Sequence, residues 1–382
     1  MNRRKFLKIA GSTAVIAAAG GAGFALTRTP TAALVPWADA ESSYTDPMRQ
    51  ALSYAILAPN PHNRQPWIVN LKSQTEAVLT CDLERLLPAT DPFDRQIVIG
   101  LGCFLELFSI AAAEQGYLAR IQVFPEGEPN NRLDGRPIAH LTLDRRPGLA
   151  RDPLFAHILA RRTNRNPYDT SRAVRDDILQ RLRNAAANDV HVDGIAGGKR
   201  LDELRTLTRD AMRTEIGDTD AYQESVDLMR IGRREIEANP DGIALKGAFL
   251  ETLSLAGILT RKSLADPTSE SYRIGLEMTD AGAMSSMGFV WINTPGNGRQ
   301  AQIAAGQAYM RVALQTTADG LAMQPMSQAL QEYAAMAPYY ETVHDWLAGR
   351  PGERVQMLAR VGYAEKTGPA PRWPLTSRLK NG

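Results

Sequence analysis

Three short stretches carry residue types that can do chemistry. Ala58-Pro59-Asn60-Pro61-His62-Asn63-Arg64-Gln65-Pro66-Trp67 holds three prolines that fix φ and stiffen the chain. Between them Asn60, His62, Asn63, Arg64 and Gln65 offer donors and acceptors. A rigid polar loop before a strand can present side chains and amides to a flat heteroaromatic ligand; it can equally be an ordinary proline-rich turn over a buried Trp. Arg161-Arg162-Thr163-Asn164-Arg165-Asn166-Pro167 sets three guanidiniums and a hydroxyl at an expected helix end. These can grip a phosphate through charge-assisted, often bidentate bonds, or form a solvated basic patch. Pro371-Arg372-Trp373-Pro374 adds one cation on a stiff segment.

Other chemistries find little support. The five histidines (His62, His140, His157, His191, His344) show no His-x-x-x-His spacing on one helix, and no Gly-x-Ser-x-Gly elbow is present. Cys81 and Cys103 fall in strand and apolar-helix patterns and are read as packing residues. Gly296-Asn297-Gly298-Arg299-Gln300-Ala301 fits a dinucleotide fingerprint between a strand and a helix. However, Asp319 closes that helix, whereas a ribose-binding acid should follow the next strand. A turn opening a long helix is the better reading.

The chain has 382 residues, 44% hydrophobic and 23% charged, with 44 Lys+Arg against 42 Asp+Glu. Such values exclude a disordered tail, a collagen-like fibre, a coiled coil and a polytopic membrane protein. The length suggests about two units, and the net charge of +2 argues against a nucleic-acid binder. Arg3-Arg4-Lys5-Phe6-Leu7-Lys8 precedes an uncharged run from Ile9 to Leu26, and Ala38-Asp39-Ala40 follows. The string resembles the twin-arginine export motif. Residues 1–40 are therefore expected to be a signal segment handled by the twin-arginine machinery, giving a periplasmic or extracytoplasmic protein. An uncleaved membrane anchor is the alternative. Without that segment 39 basic and 41 acidic residues remain. The resemblance also implies a chain exported already folded, often around a cofactor. With two thiols and scattered histidines, an organic cofactor is favoured over a metal.

Around these motifs the patterning predicts a helix from Pro47 to Ala58 with Asp46 as N-cap, then strands at Ile68–Leu71 and Ala77–Cys81. A long apolar helix is expected over Arg95–Gly116, followed by strands at Ala119–Phe124 and Ile138–Leu143. Helices at Pro153–Arg161 and Arg175–Ala187 and a strand at His191–Ile195 come next. Residues 199–280 read as a helical, charged excursion or lid. A buried strand at Gly288–Asn293, a second long helix at Arg299–Ala318 and a strand at Leu321–Gln324 follow. The recurrence of helix, strands and long helix suggests a faint duplication, with halves at 41–150 and 151–382.

Taken together the three motifs resemble the nitroreductase-like flavoprotein family, its tandem, degenerate single-chain branch in particular. Asn63, Gln65, Pro66 and Trp67, with Pro59 and Asn60 before them, match the family's flavin loop. Arg161, Arg162, Thr163 and Arg165 match its phosphate segment, Arg372 its late arginine, and Gly320–Gln328 its strand and loop beside the flavin. The resemblance implies an α+β nitroreductase-like fold, a single-chain pseudo-dimer of two degenerate halves, with one FMN. It implies a phosphate held by Arg161, Arg162, Thr163, Arg165 and Arg372. Asn60, Pro61, His62, Asn63 and Gln65 would line the isoalloxazine, and Pro325, Met326 and Ser327 would approach it. No acid or base is assigned. The implied activity is two-electron transfer through flavin between small-molecule donor and acceptor. FMN binding or sequestering without turnover is the alternative, and a monomer is compatible with either. The order of the motifs departs from the usual one, because the loop precedes the arginines by about a hundred residues and neither motif repeats.

Overall fold

The computed structural model describes residues 27–42, 44–186 and 190–381. In chain order the elements are α1 (Val35–Ser42), α2 (Pro47–Ala55), β1 (Trp67–Leu71), β2 (Glu76–Cys81), α3 (Arg95–Glu114), β3 (Tyr117–Val123) and β4 (Ala139–Arg145). The second half brings α4 (Asp176–Arg183) and β5 (His191–Ile195). An insert follows, made of α5 (Gly198–Gly217), α6 (Thr219–Asp227), β6 (Met229–Ile231), α7 (Gly232–Ala238), β7 (Ile243–Leu245), α8 (Ala248–Leu255), α9 (Arg261–Ala265) and α10 (Glu270–Met284). The chain closes with β8 (Gly288–Pro295), α11 (Arg299–Ala318), β9 (Ala322–Pro325), α12 (Ala337–Leu347), β10 (Glu353–Gly362) and β11 (Leu379–Asn381).

The α+β expectation holds. Two sheets have the orders β11-β1-β2-β4-β3 and β5-β8-β10-β9, and β6 pairs β7 separately in the insert. The halves meet through α3 and α11. Both carry a glycine at the crossing, and a Cβ on Gly306 would lie 2.0 Å from the Ile99 carbonyl oxygen. One on Gly102 would lie 2.3 Å from that of Ile303. Glycine costs helix stability, about 1 kcal/mol against Ala, but only glycine lets the backbones approach this closely. The Cys103 thiol donates to the Gly306 carbonyl at 3.2 Å, so this cysteine is a packing residue as expected. Helix α3 is apolar on most faces and passes for a membrane span by composition, yet its side chains are largely buried in the protein core.

Several expectations need correction. Pro153–His157 forms only a 3₁₀ turn, with Asp152 accepting from the Leu154 amide, so the arginine segment follows a turn and lies outside helix and strand rather than at a helix end. The halves are not self-contained: β11, at the far end of the chain, pairs in parallel with β1 of the first half. Strand β10 was hidden because Gln356 and Arg360 interrupt its apolar pattern. Arg360 is nevertheless fully buried, because its guanidinium donates to the Gly282 carbonyl at 2.6 Å, Gln324 Oε1 at 2.7 Å and the Asn166 carbonyl at 2.9 Å. It also stacks 3.8 Å from the Tyr168 ring. The twin-arginine string lies outside the described residues. The boundary expected at residue 40 falls inside α1, whose Trp37 and Ala40 are buried in the core. At the glycine-rich turn before α11, Glu128 Oε2 accepts from the Arg299 amide at 2.7 Å. A carboxylate of the protein thus occupies the place a dinucleotide phosphate would need.

A Gly306→Ala variant should lose about 3 kcal/mol of stability in denaturant unfolding, despite alanine's better helix propensity, because the two helices must separate. An unchanged or raised midpoint would show that the crossing tolerates a methyl group.

Candidate functional site

The stiff loop leaves the end of α2 and rests on α3. A Cβ on Gly100 would come 3.0 Å from Asn60 Cβ and 3.2 Å from Pro61 Cδ, so the loop lies directly on the helix backbone. His62, Asn63 and Gln65 have φ of 46°, 53° and 52°, the left-handed region that non-glycine residues rarely enter. Such geometry costs of order 1–3 kcal/mol per residue and persists only where surrounding bonds over-determine it. Here they do. Asn60 Oδ1 accepts from the Gln65 amide at 2.7 Å, and Asn63 Nδ2 donates to the Pro371 carbonyl at 3.1 Å. Gln65 Nε2 donates to the Pro240 carbonyl at 2.7 Å, while its Oε1 accepts from the Trp373 amide at 2.9 Å.

That bookkeeping changes the expected roles. The side chains of Asn60, Asn63 and Gln65 are spent on holding the loop, and Gln65 has no exposed surface. Pro61, His62 and the loop backbone are what remains for a ligand. His62 Nδ1 is buried without a partner. Burial first, then the nearby Arg165 and Arg64 cations, push its pKa down to about 4, so the ring is neutral at physiological pH.

Arg372 is likewise a structural residue, contrary to its expected place on a phosphate. Its Nε donates to the Ile56 carbonyl at 2.9 Å and its Nη2 to those of Leu57 and Ala58 at 2.9 and 3.0 Å. Its Nη1 donates to Asn63 Oδ1 at 2.6 Å and to its neighbour's carbonyl at 2.9 Å. All five N–H groups are used. The guanidinium therefore satisfies the orphan carbonyls at the end of α2 and fixes the loop beside them.

The arginine segment arrives at the same point. Arg161, 4% exposed, makes one hydrogen bond, 3.4 Å, to the Leu57 carbonyl that Arg372 also uses. Arg162 Nη1 donates to the Leu159 and Arg161 carbonyls, both at 2.7 Å, and its Nε is buried with no partner. The Thr163 hydroxyl has no hydrogen bond among the described residues. Arg165 keeps accessible surface while burial lowers its pKa, the combination expected of a side chain lining a cleft. Among the described residues no carboxylate pairs with Arg161, Arg162, Arg165 or Arg372 within 4.0 Å. Burial and mutual repulsion push Arg162 down to about 10 and Arg372 to about 9, and both remain cationic at neutral pH. Buried like charges without an anion are costly, and an anion removes that cost.

On the far side, Pro325 ends β9 and Ser327 opens a 3₁₀ turn. Met326 belongs to a buried apolar cluster with Ala329, Leu330 and Leu358 and is 1% exposed, so it serves packing more than ligand contact. Sequence reasoning missed Glu215 of α5, whose Oε2 accepts from Gln331 Nε2 at 2.7 Å. Burial pushes its pKa up to about 7, and the Arg165 cation lowers it less than burial raises it. It also missed Asp241, which pairs with Arg85 at 2.6 Å, Arg64 at 3.0 Å and Arg230 at 3.1 Å. With the Gly242 amide on the Asn63 carbonyl at 3.3 Å, that hub straps the insert to the loop. A lone acid in a helical insert gives no local signal of either role. Two open surface clefts, of 480 and 500 Å³, share no residue with this cluster.

No protein-family model matches the chain. A putative NAD(P)H nitroreductase of Mycobacterium tuberculosis is 27% identical over 337 residues, covering 88% of this chain and 89% of that protein. A second from the same organism is 36% identical over 129 residues, covering 32% and 36%. A probable NAD(P)H nitroreductase of a Serratia strain is 23% identical over 211 residues, covering 54% and 57%. Among solved structures, the FMN-dependent nitroreductase NfnB from Mycobacterium smegmatis in complex with NADPH is 17% identical. It covers 58% of this chain and 94% of its own, with a TM-score of 0.35. The chain is thus similar along most of its length to proteins described as nitroreductases.

Two outcomes follow from the geometry. Asp241→Asn leaves three arginines facing one another and should cost about 3 kcal/mol, read by denaturant unfolding. Hydrogen exchange should show the loss concentrated in residues 58–67 and 228–245. For Glu215, the folded protein keeps a proton that the unfolded chain gives up near its ordinary pKa. Its contribution is complete at low pH and is lost as pH rises through about 7. Stability should therefore fall between about pH 4.5 and pH 7, and Glu215→Gln should flatten that slope. An equal slope in the variant assigns the titration elsewhere.

Proposed function

We propose that the chain binds FMN and works as a nitroreductase-type oxidoreductase, passing two electrons from a small-molecule donor to a small acceptor. The single observation that carries this reading is the convergence of Arg161, Arg162 and Arg165, unpaired with any carboxylate, beside a strained loop that Arg372 holds in place. The residues fit the group. A phosphate dianion suits the free Nε of Arg162, the nearly unbonded guanidinium of Arg161, Arg165 and the Thr163 hydroxyl. Pro61, His62 and the loop backbone, with Pro325 and Ser327, would border the flavin ring. A neutral His62 adds no further cation there and leaves an imidazole nitrogen free to accept or donate a hydrogen bond. When bound, FMN supplies the redox chemistry; the chain supplies position, charge and exclusion of water. Similarity to putative NAD(P)H nitroreductases supports a nicotinamide donor. The opening Arg3-Arg4-Lys5-Phe6-Leu7-Lys8 string supports export by the twin-arginine route.

One observation favours a second reading, FMN held without turnover. The Asp241 hub and the Gln65–Pro240 bond fasten the insert to the loop. A fastened cover slows exchange of donor and acceptor.

The purified full chain should be yellow with flavin absorption. Arg162→Ala should weaken FMN binding about 10- to 100-fold, as loss of charge-assisted bonds requires. Anaerobic NADPH should bleach the flavin, and a quinone or nitroaromatic should restore it. Bound flavin that NADPH leaves oxidised selects the second reading, and a protein with no affinity for FMN overturns both.

A further inference from the structure

Between residues 27 and 42 the chain crosses the arginine cluster. The Trp37 ring lies 4.5 Å from the Arg162 guanidinium carbon and 5.6 Å from that of Arg372. Its indole Nε1 donates to the Ala370 carbonyl at 2.8 Å, and the Ala33 carbonyl accepts from the Arg372 amide at 2.9 Å. The Ala40 carbonyl accepts from Gln50 Nε2 at 2.6 Å, and Ala40 has no exposed surface. Upstream, the Thr27 carbonyl accepts from Arg233 at 2.8 Å and Arg28 pairs with Glu251 at 3.1 Å.

We propose that residues 32–42 are a permanent wall of the phosphate site, with Trp37 as the residue that positions Arg162. Any processing of the amino-terminal segment then falls at or before Ala32, not after Ala40. This inference rests on the phosphate reading given above. An aromatic face against a guanidinium stabilises the cation through its quadrupole and leaves the in-plane N–H groups free. Arg162 is held in that way: one flat face lies on Trp37, Nη1 is fixed to two carbonyls, and Nε is left for an anion. Cutting after Ala40 would uncover Arg162, free the 370–372 segment and strip buried side chains from the core. The Ala38-Asp39-Ala40 triplet is, moreover, helical and its last residue enclosed, whereas proteolysis favours exposed, unstructured chain.

The test uses the full chain with Trp37→Ala and Trp37→Phe, stripped of flavin and titrated with FMN and with riboflavin. Trp37→Ala should weaken FMN at least about tenfold while riboflavin changes by less than about twofold. Trp37→Phe, which keeps an aromatic face, should retain most of the FMN affinity. Equal losses for both ligands, or none, overturn the positioning role. Failure of the unaltered chain to prefer FMN over riboflavin would instead overturn the phosphate reading. The wall itself is decided separately by the intact mass of the chain recovered from cells. A first residue at or before Ala32 supports it, and a folded product beginning at Glu41 overturns it.

Discussion

One guanidinium ties the molecule together. Arg372 uses every N–H it has on the carbonyls at the end of α2, on Pro371 and on Asn63. It reaches them because the last segment of the chain runs back across the first half and ends as β11 beside β1. The consequence is electrostatic. Neutral carbonyls satisfy its hydrogen bonds but leave its charge in place, so Arg372 repels Arg161 and Arg162, which have no carboxylate partner among the described residues. A buried unpaired charge costs several kcal/mol, a cost that the phosphate proposed above would offset.

The rest of the architecture places that cluster. The glycine crossing of α3 and α11 sets the spacing of the halves, and Gly100 on α3 lets the strained loop lie flat against the helix. Arg360, from the middle of β10, grips the Asn166 carbonyl and stacks on Tyr168, which anchors the end of the arginine segment. The insert then bolts onto the loop through Asp241. Three unrelated parts of the chain therefore fix a ten-residue stretch whose own backbone preferences oppose its shape.

Much of this was legible in the sequence. The boundaries of α11 were read as they stand, and those of α3 to within two residues, because both have strong periodic or uniform apolar patterns. The loop and the arginine segment were recognisable because their residue types are unusual at that density. What could not be read was how polar groups would be spent. Asn60, Asn63, Gln65 and Arg372 look like ligand groups in a string of letters, yet each is consumed by a partner distant in sequence. Trp37 shows the converse: it sits where composition suggests a removable leader, and only its contacts with residues 162 and 370–372 reveal a structural place. Strand β10 was missed since buried Gln356 and Arg360 mimic a polar surface.

The central claim is that these guanidiniums await a phosphate dianion rather than any flat ligand. The most direct measurement compares the dissociation constants of FMN and riboflavin for the unaltered, flavin-free chain at fixed ionic strength. Two or more charge-assisted bonds predict FMN to be tighter by at least about a hundredfold. Equal affinity for the two ligands would contradict the account.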